Sequence, residues 1–258
     1  MHSRPTAIVS GAGGGIGSAC ARALAEKGFN VAVNYRRSAD SAEASAAACR
    51  EAGVEAIALR ADVADDGDCR RLVDETVGAW GRIDLLINNA GITKFADARD
   101  LDALSAEDFA SIMAVNVAGT YQLTRAASPH LKRSPIAAVV NISSHSGFSG
   151  IGSSTAYAAS KGALNTMTRS LALALAPEIR VNAVCPGFVD TEWMAGKLEA
   201  AELEAFKAKV AAISPLRKIV SAADVADAVC WFATGAASIT GQLLVIDGGT
   251  HLTVGNPL

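Results

Sequence analysis

The stretch Thr6–Gly28, TAIVSGAGGGIGSACARALAEKG, decides the fold. A short, partly β-branched run (Thr6–Ser10) passes directly into a glycine-rich turn. SACARALAEKG then follows a helical pattern and is closed by Gly28. Its glycines are spaced Gly-x-x-x-Gly-x-Gly (Gly11, Gly15, Gly17). Glycines permit the tight turn, and a helix N-terminus offers free N–H groups and a positive dipole end to a pyrophosphate. No Gly-Lys-Ser/Thr closes the loop, so a Walker-type triphosphate loop is excluded.

Working outward, the same alternation repeats. VAVNY (Val31–Tyr35) is a second strand, followed by a helix from about Ser38 to Ala52, and EAIALR is a third strand ending near Asp62-Val63. A helix over Asp66–Trp80 stops at Gly81, and IDLLINNAG supplies the fourth strand and its loop. Ser105 with Asp108 resembles an N-cap pair opening a long helix to about Pro129. AAVVNIS, RVNAVCPG and LLVIDGG are strands five to seven, with a helix containing Tyr157 between the first two. Strict alternation without a linker or a repeat predicts one α/β domain over 1–258, built on a doubly wound, seven-stranded parallel sheet with helices on both faces.

The unusual residues sit at matching places. Gly11, Asp62, Asn88-Asn89, Ser144 and Pro186-Gly187 each follow a strand. In open α/β sheets the ligand crevice lies at the carboxyl ends of the strands. The richest of these segments is Ser144–Lys161, SHSGFSGIGSSTAYAASK. A spacing of four on a helix puts Tyr157 and Lys161 on one face. A free phenol titrates near ~10, and a cation within hydrogen-bond reach would lower that value. Ser144, Tyr157 and Lys161 therefore read as a general acid/base for a carbonyl–alcohol pair.

About 20 residues beyond the glycine loop, an NAD-binding chain usually carries an acidic residue for the ribose. Here Tyr35-Arg36-Arg37-Ser38 occupies that place. Two guanidinium groups suit a 2′-phosphate. The reading favours NADP(H), with NAD(H) possible.

Half of the 258 residues are hydrophobic and 19% are charged, as expected of a globular chain. A net charge of −3 speaks against nucleic acid or an anionic membrane as partner. Five scattered cysteines without Cys-x-x-Cys read as reduced, mostly buried thiols, and the four isolated histidines offer no metal-ligand spacing. The N-terminus runs almost directly into the first strand, leaving no room for a signal peptide, and no apolar run reaches membrane-span length. A cytoplasmic location is expected.

Taken together, SGAGGGIG, Asp62-Val63, NNAG at 88–91, Asn116 in MAVNVAG, Ser144, Tyr157-x-x-x-Lys161, Pro186-Gly187 with Thr191, and Asp247-Gly248-Gly249 resemble the short-chain dehydrogenase/reductase family. The resemblance covers Thr6–Gly249 and implies a Rossmann-like fold. It further implies that Tyr157 exchanges a proton with the substrate oxygen while a nicotinamide exchanges hydride with its carbon. Lys161 would lower the Tyr157 pKa and bind the nicotinamide ribose, and Ser144 would hold the substrate oxygen. Asn116 would either hold a water in a proton relay or brace a helix kink. Gly11, Gly15, Ile16 and Gly17 would cradle the pyrophosphate, and Asp62-Val63 would flank the adenine. Asn89-Ala90-Gly91 would line the cofactor, with Pro186, Gly187, Val189 and Thr191 at its nicotinamide end.

Specificity is expected from loops at Lys94-Phe95, His145–Gly152 and 188–215. In the last, Leu198, Leu203, Phe206, Val210 and Ile213 recur at helical spacing, which fits an amphipathic lid or a plain surface helix. The substrate is a small carbonyl or alcohol. Alternatives are a 3-oxoacyl-(acyl-carrier-protein) reductase, for which Lys132 and Arg133 are candidate basic residues at the site mouth, and a non-catalytic dinucleotide sensor. The apolar run Leu171–Ala176 would need cover from another copy, and a homotetramer is expected, with a dimer as second choice.

Overall fold

The structure is a computed structural model that describes residues 4–194 and 199–253. Leu198, one of the five lid positions, lies outside the described residues. The first half of the chain runs β1 (Thr6–Val9), α1 (Gly15–Glu26), β2 (Asn30–Tyr35), α2 (Ala39–Glu51), β3 (Ala56–Arg60), α3 (Asp66–Trp80) and β4 (Leu85–Asn88). After β4 come α4 (Ala106–Met113), α5 (Thr120–Leu131), β5 (Ala138–Ile142), α6 (Ser146–Ser149), α7 (Thr155–Leu175) and β6 (Arg180–Pro186). The chain closes with α8 (Ala200–Ile213), α9 (Ala222–Thr234) and β7 (Leu243–Ile246).

The strands form one parallel seven-stranded sheet in the order β3-β2-β1-β4-β5-β6-β7. The order reverses between β1 and β4, and a crevice opens at such a switch point. β1, β4 and β5 are buried at every position, because helices cover both faces. Val9, Val31 and Ile87 point to the face packed by α1, α2 and α9, where Leu24, Ala46 and Phe232 meet them. Ile8, Leu86 and Val139 point the other way, toward Leu72 of α3 and Leu123 of α5. Each fully buried Leu or Ile contributes roughly 2 kcal/mol.

Local signals place the helix ends. Asp65 accepts from the Asp68 N–H to open α3, and Gly81 closes it at φ 76°. Ser105 and Asp108 form a reciprocal capping box on α4. The expected long helix from Ser105 is present with a modification. A π-helical segment, Ala114–Gly119, separates α4 from α5 and contains Asn116. The helix also passes through Pro129 to Leu131. Pro129 has no N–H for the Arg125 carbonyl, and the Ser128 hydroxyl donates to that carbonyl instead, at 3.0 Å.

A buried polar chain ties the centre of the sheet to α5 and α7. Asn88 donates to Thr124 Oγ1 at 3.0 Å and to Asn141 Oδ1 at 2.9 Å, and Asn141 donates to Thr168 Oγ1 of α7 at 2.9 Å. Such bonds are directional, so α7 is fixed in register on β5 as well as held by apolar contact. All five cysteines are buried and unpaired.

Candidate active site

The carboxyl ends of the strands surround a cleft of about 1060 Å³. One wall is the glycine loop. Gly11 has φ +62°, and a Cβ there would lie 2.9 Å from Ala90 Cα. Gly17 permits a closer approach, since its Cβ would stand 2.4 Å from the Gly11 carbonyl oxygen. Neither place admits a side chain without moving backbone. Asn89 Nδ2 donates to the Ser10 and Gly11 carbonyls at 3.0 and 2.9 Å, while Ser10 Oγ accepts the N–H groups of Asn89 and Ala90. The loops after β1 and β4 are thereby locked together. α1 begins at Gly15 with no side-chain cap, and Gly11, Gly14, Gly15 and Ile16 line the cleft. Uncapped N–H groups facing a cavity fit the pyrophosphate of a dinucleotide.

Ser144, Tyr157 and Lys161 meet across this cleft. Ser144 sits just past β5, on the turn leading into α6. Its oxygen accepts the Ser146 N–H at 3.1 Å, and its proton is shared with Ser146 Oγ at 3.1 Å and the Pro186 carbonyl at 3.4 Å. Tyr157 lies in the first turn of α7, capped by Ser154, whose oxygen accepts the Tyr157 N–H at 3.2 Å. Its phenol is hydrogen-bonded to Ser144.

The surroundings of the Tyr157 phenol differ from the expected ones, in which Lys161 lowers its pKa. Burial pushes the phenol up to about 12, and the Ser144 hydrogen bond offsets this only partly. Lys161 Nζ donates to the Ile142 carbonyl at 2.8 Å and stands 5.6 Å from the centre of the tyrosine ring. Burial pulls the ammonium itself down to about 8. The ammonium is bonded to Ile142 and not to the phenol, so it does little to favour phenolate.

Asn116 is 1% exposed at the π-helical segment. Its Oδ1 accepts the Ile92 N–H at 2.8 Å, and its Nδ2 donates to the Ile92 carbonyl and to Ser160 Oγ at 3.0 and 2.9 Å. It thus joins the loop after β4 to α7 just beside Lys161.

Not every expected residue lines the cleft. Asn89, Ala90, Gly91, Pro186, Gly187, Val189 and Thr191 do, whereas Gly17, Tyr35, Arg36, Arg37, Ser38, Asp62, Val63 and Asn116 do not. The adenosine-side group lies at the ends of β2 and β3, where Arg36 Nε pairs with Asp62 Oδ2 at 2.8 Å. Val63 packs against the π-helical segment, filling the space that a Cβ on Gly119 would need. Lys132 and Arg133 follow α5 and precede β5, at the edge opposite Ser144. Arg133 lines a separate pocket there with His130 and Ser134, so the pair does not flank the cleft mouth.

The cleft also recruits residues that carried no motif. Trp193 faces the Tyr157 ring at 6.2 Å between centres, tilted by 52°. Asp97 lines the wall as well, along with Phe95, Ile151, Phe188, Glu192, Phe206, Val210 and Ile213 of the expected specificity loops. Only a turn geometry brings Trp193 over Tyr157, 36 positions away in sequence, and no periodicity announces it. α8 has no buried residue. It is held by an edge contact of Phe206 on Phe188 at 5.0 Å and by Lys207 on Asp190 at 2.9 Å.

Residues 11–251 match the family described as enoyl-(acyl carrier protein) reductase. The chain is 43% identical over 248 residues, 96% of each chain, to a Streptomyces violaceoruber protein named for ketoacyl reduction in the granaticin polyketide synthase. It is 34% identical over 256 residues to a 3-oxoacyl-(acyl-carrier-protein) reductase of Staphylococcus aureus, covering 98% of this chain and 100% of that one. A crystal structure from Burkholderia xenovorans, described as a short-chain dehydrogenase/reductase, superposes with a TM-score of 0.90 at 39% identity, covering 98% and 100% of the two chains. The chain belongs to the short-chain dehydrogenase/reductase family. It is an NAD(P)-dependent oxidoreductase acting on carbonyl or CH–OH groups. Among the described residues no helix is long and apolar enough to cross a membrane.

Proposed function

We propose that this chain is an NADP(H)-dependent carbonyl reductase, one folding unit whose lid is the segment 188–215. The observation that carries the reading is the meeting of the Ser144, Tyr157 and Lys161 side chains in the cleft that the glycine loop closes. When bound, the nicotinamide supplies or accepts the hydride. Tyr157 Oη gives its proton to the carbonyl oxygen, or takes it back in the oxidative direction. Burial keeps the phenol protonated at neutral pH, so the proton to be given is present. Ser144 Oγ turns its weakly held proton toward the same oxygen as charge develops there. Lys161 spends one N–H on Ile142 and keeps two for the ribose hydroxyls. Asn116 fixes the loop beneath them. Arg36, steadied by Asp62, and Arg37 meet the 2′-phosphate.

A second reading, reduction of a 3-oxoacyl thioester, is favoured by the names of two relatives. A non-catalytic sensor has less support, because a dinucleotide binder has no use for a buried acid beside a serine. Turnover of a panel of ketones, alcohols and an acetoacetyl thioester with NADPH and with NADH decides among the three. Absence of any turnover despite tight NADPH binding would overturn the enzymatic reading.

The proposed assembly is a homotetramer in the cytoplasm. Leu173 of α7 is 83% exposed in the single chain, which fits an apolar run awaiting a second copy. Light scattering at micromolar concentration that returned only the 26.3 kDa species would exclude it.

A further inference from the structure

Resting on the carbonyl-reductase reading, we propose that Trp193 makes the substrate pocket a slot for ketones borne on a flat, apolar ring system, an aryl or fused cyclic ketone. A carbonyl oxygen held by Ser144 and Tyr157 commits the rest of the substrate to the space between the loop after α6 and the turn Glu192–Met194. In that space the Trp193 and Tyr157 rings form a wedge, 6.2 Å between centres and tilted by 52°. The separation is that of two aromatic rings already in contact, so a flat group would lie on the exposed part of the indole face beside Tyr157 rather than between the rings. Trp193 is 44% exposed without substrate, so a ring placed on it removes apolar surface from water on both partners.

The remaining walls agree. Ile151, Phe188, Phe206, Val210 and Ile213 continue the apolar surface, and the edge contact between Phe188 and Phe206 fixes its far side. Polar groups in this half of the cleft are largely committed. Ser146 is bonded to Ser144, Ser153 Oγ to Thr93 Oγ1 at 2.6 Å, and His145 Nδ1 faces Ser149. The second carbonyl of a short 3-oxoacyl chain would therefore lose water and find few uncommitted donors among the described residues. Charges at the rim point the same way. Among the described residues Asp97 and Glu192 line it, and Lys218 there is held by Asp224 at 2.8 Å. A phosphate-bearing carrier finds little attraction at such a rim, whereas an uncharged ring ketone pays no penalty there.

The test uses the full chain and two ketones, 1-tetralone and S-acetoacetyl-N-acetylcysteamine, with NADPH. Wild type should show the higher kcat/KM for 1-tetralone. Trp193→Ala should lower the ratio of the two kcat/KM values about tenfold, and Trp193→Phe should keep most of it. A parallel titration of 1-tetralone onto the chain saturated with NADP⁺ reads binding without turnover, and Trp193→Ala should weaken it about tenfold. A wild-type preference for the short thioester, or a ratio and an affinity that ignore Trp193→Ala, would overturn the slot while leaving the carbonyl-reductase reading intact. Ring binding that depends on Trp193 without reduction of either ketone would uphold the slot and overturn the reading beneath it.

Discussion

α7 and α8 face the same cleft and are built in opposite ways. α7 has nine buried residues, among them Ser160, Lys161, Asn165 and Thr168, and the polar members bond to neighbouring loops and strands. α8 has no buried residue and rests on one aromatic edge contact, one ion pair across to Asp190 and its capping box. Proton transfer needs its groups fixed to within a fraction of an ångström, so they stand on the most constrained helix. Substrate selection needs a surface that opens, and weak attachment leaves α8 near the low-stability end of the fold. Under the proposed mechanism, the contrast places the chemistry in the core and the choice of substrate at the margin.

The comparison is broken first by Tyr157→Phe. The ring still packs in α7 while the proton is gone, so turnover should fall about 10³-fold with NADPH affinity and melting temperature nearly unchanged. Activity within tenfold of wild type would show that the buried helix does not carry the acid.

Lys161→Met sharpens the same contrast through stability. Lys161 is 4% exposed, and its pKa falls from 10.5 to about 8 on folding. The folded chain thus binds this proton less tightly than the unfolded chain. Holding the charge costs stability below pH 8, the cost shrinks between pH 8 and 10.5, and it is gone above. The variant should be more stable than wild type by about 2 kcal/mol at pH 6, with the gain vanishing toward pH 10.5, and should bind NADPH more weakly. Urea denaturation at the two pH values checks this, and a variant less stable than wild type at pH 6 would count against the buried charge.

At the adenosine end, Arg36→Ala combined with Arg37→Ala should shift the NADPH-to-NADH preference tenfold or more, since charge-assisted bonds contribute roughly 1.5–3 kcal/mol each. Equal weakening of both cofactors in a titration would leave Arg36 a structural partner of Asp62 only. The smallest effect is expected in the lid. Phe206→Ala should change global stability by less than ~1 kcal/mol, because the ring is only partly buried, yet raise KM severalfold. A large loss of melting temperature would mean that α8 belongs to the core after all.

Much of this molecule was legible in order along the chain. The glycine spacing, the alternation of strand and helix, and Tyr157 four residues before Lys161 are local patterns with local causes: turn sterics, burial on two faces, and 3.6 residues per turn. The capping pair Ser105–Asp108 was legible for the same reason, whereas the π-helical segment behind it was legible only as a helix kink braced by Asn116, one of two readings. That segment follows from Asn116 bonding to Ile92 and Ser160 and from Val63 packing on Gly119, all distant in sequence.

The sequence by itself determined the fold class, the strand ends at which polar residues gather, and the pairing of Tyr157 with Lys161 on one helix face, because each depends on neighbours within a few residues. Tertiary structure alone decided how those groups are tuned. It withdrew Lys161 from the phenol to the Ile142 carbonyl and raised Tyr157 by burial. It paired Arg36 with Asp62, placed Arg133 in a separate pocket with His130 and Ser134, and set Trp193 against the Tyr157 ring. Charge and dielectric act through space, and the distances that govern them exist only once the sheet has brought its carboxyl ends together.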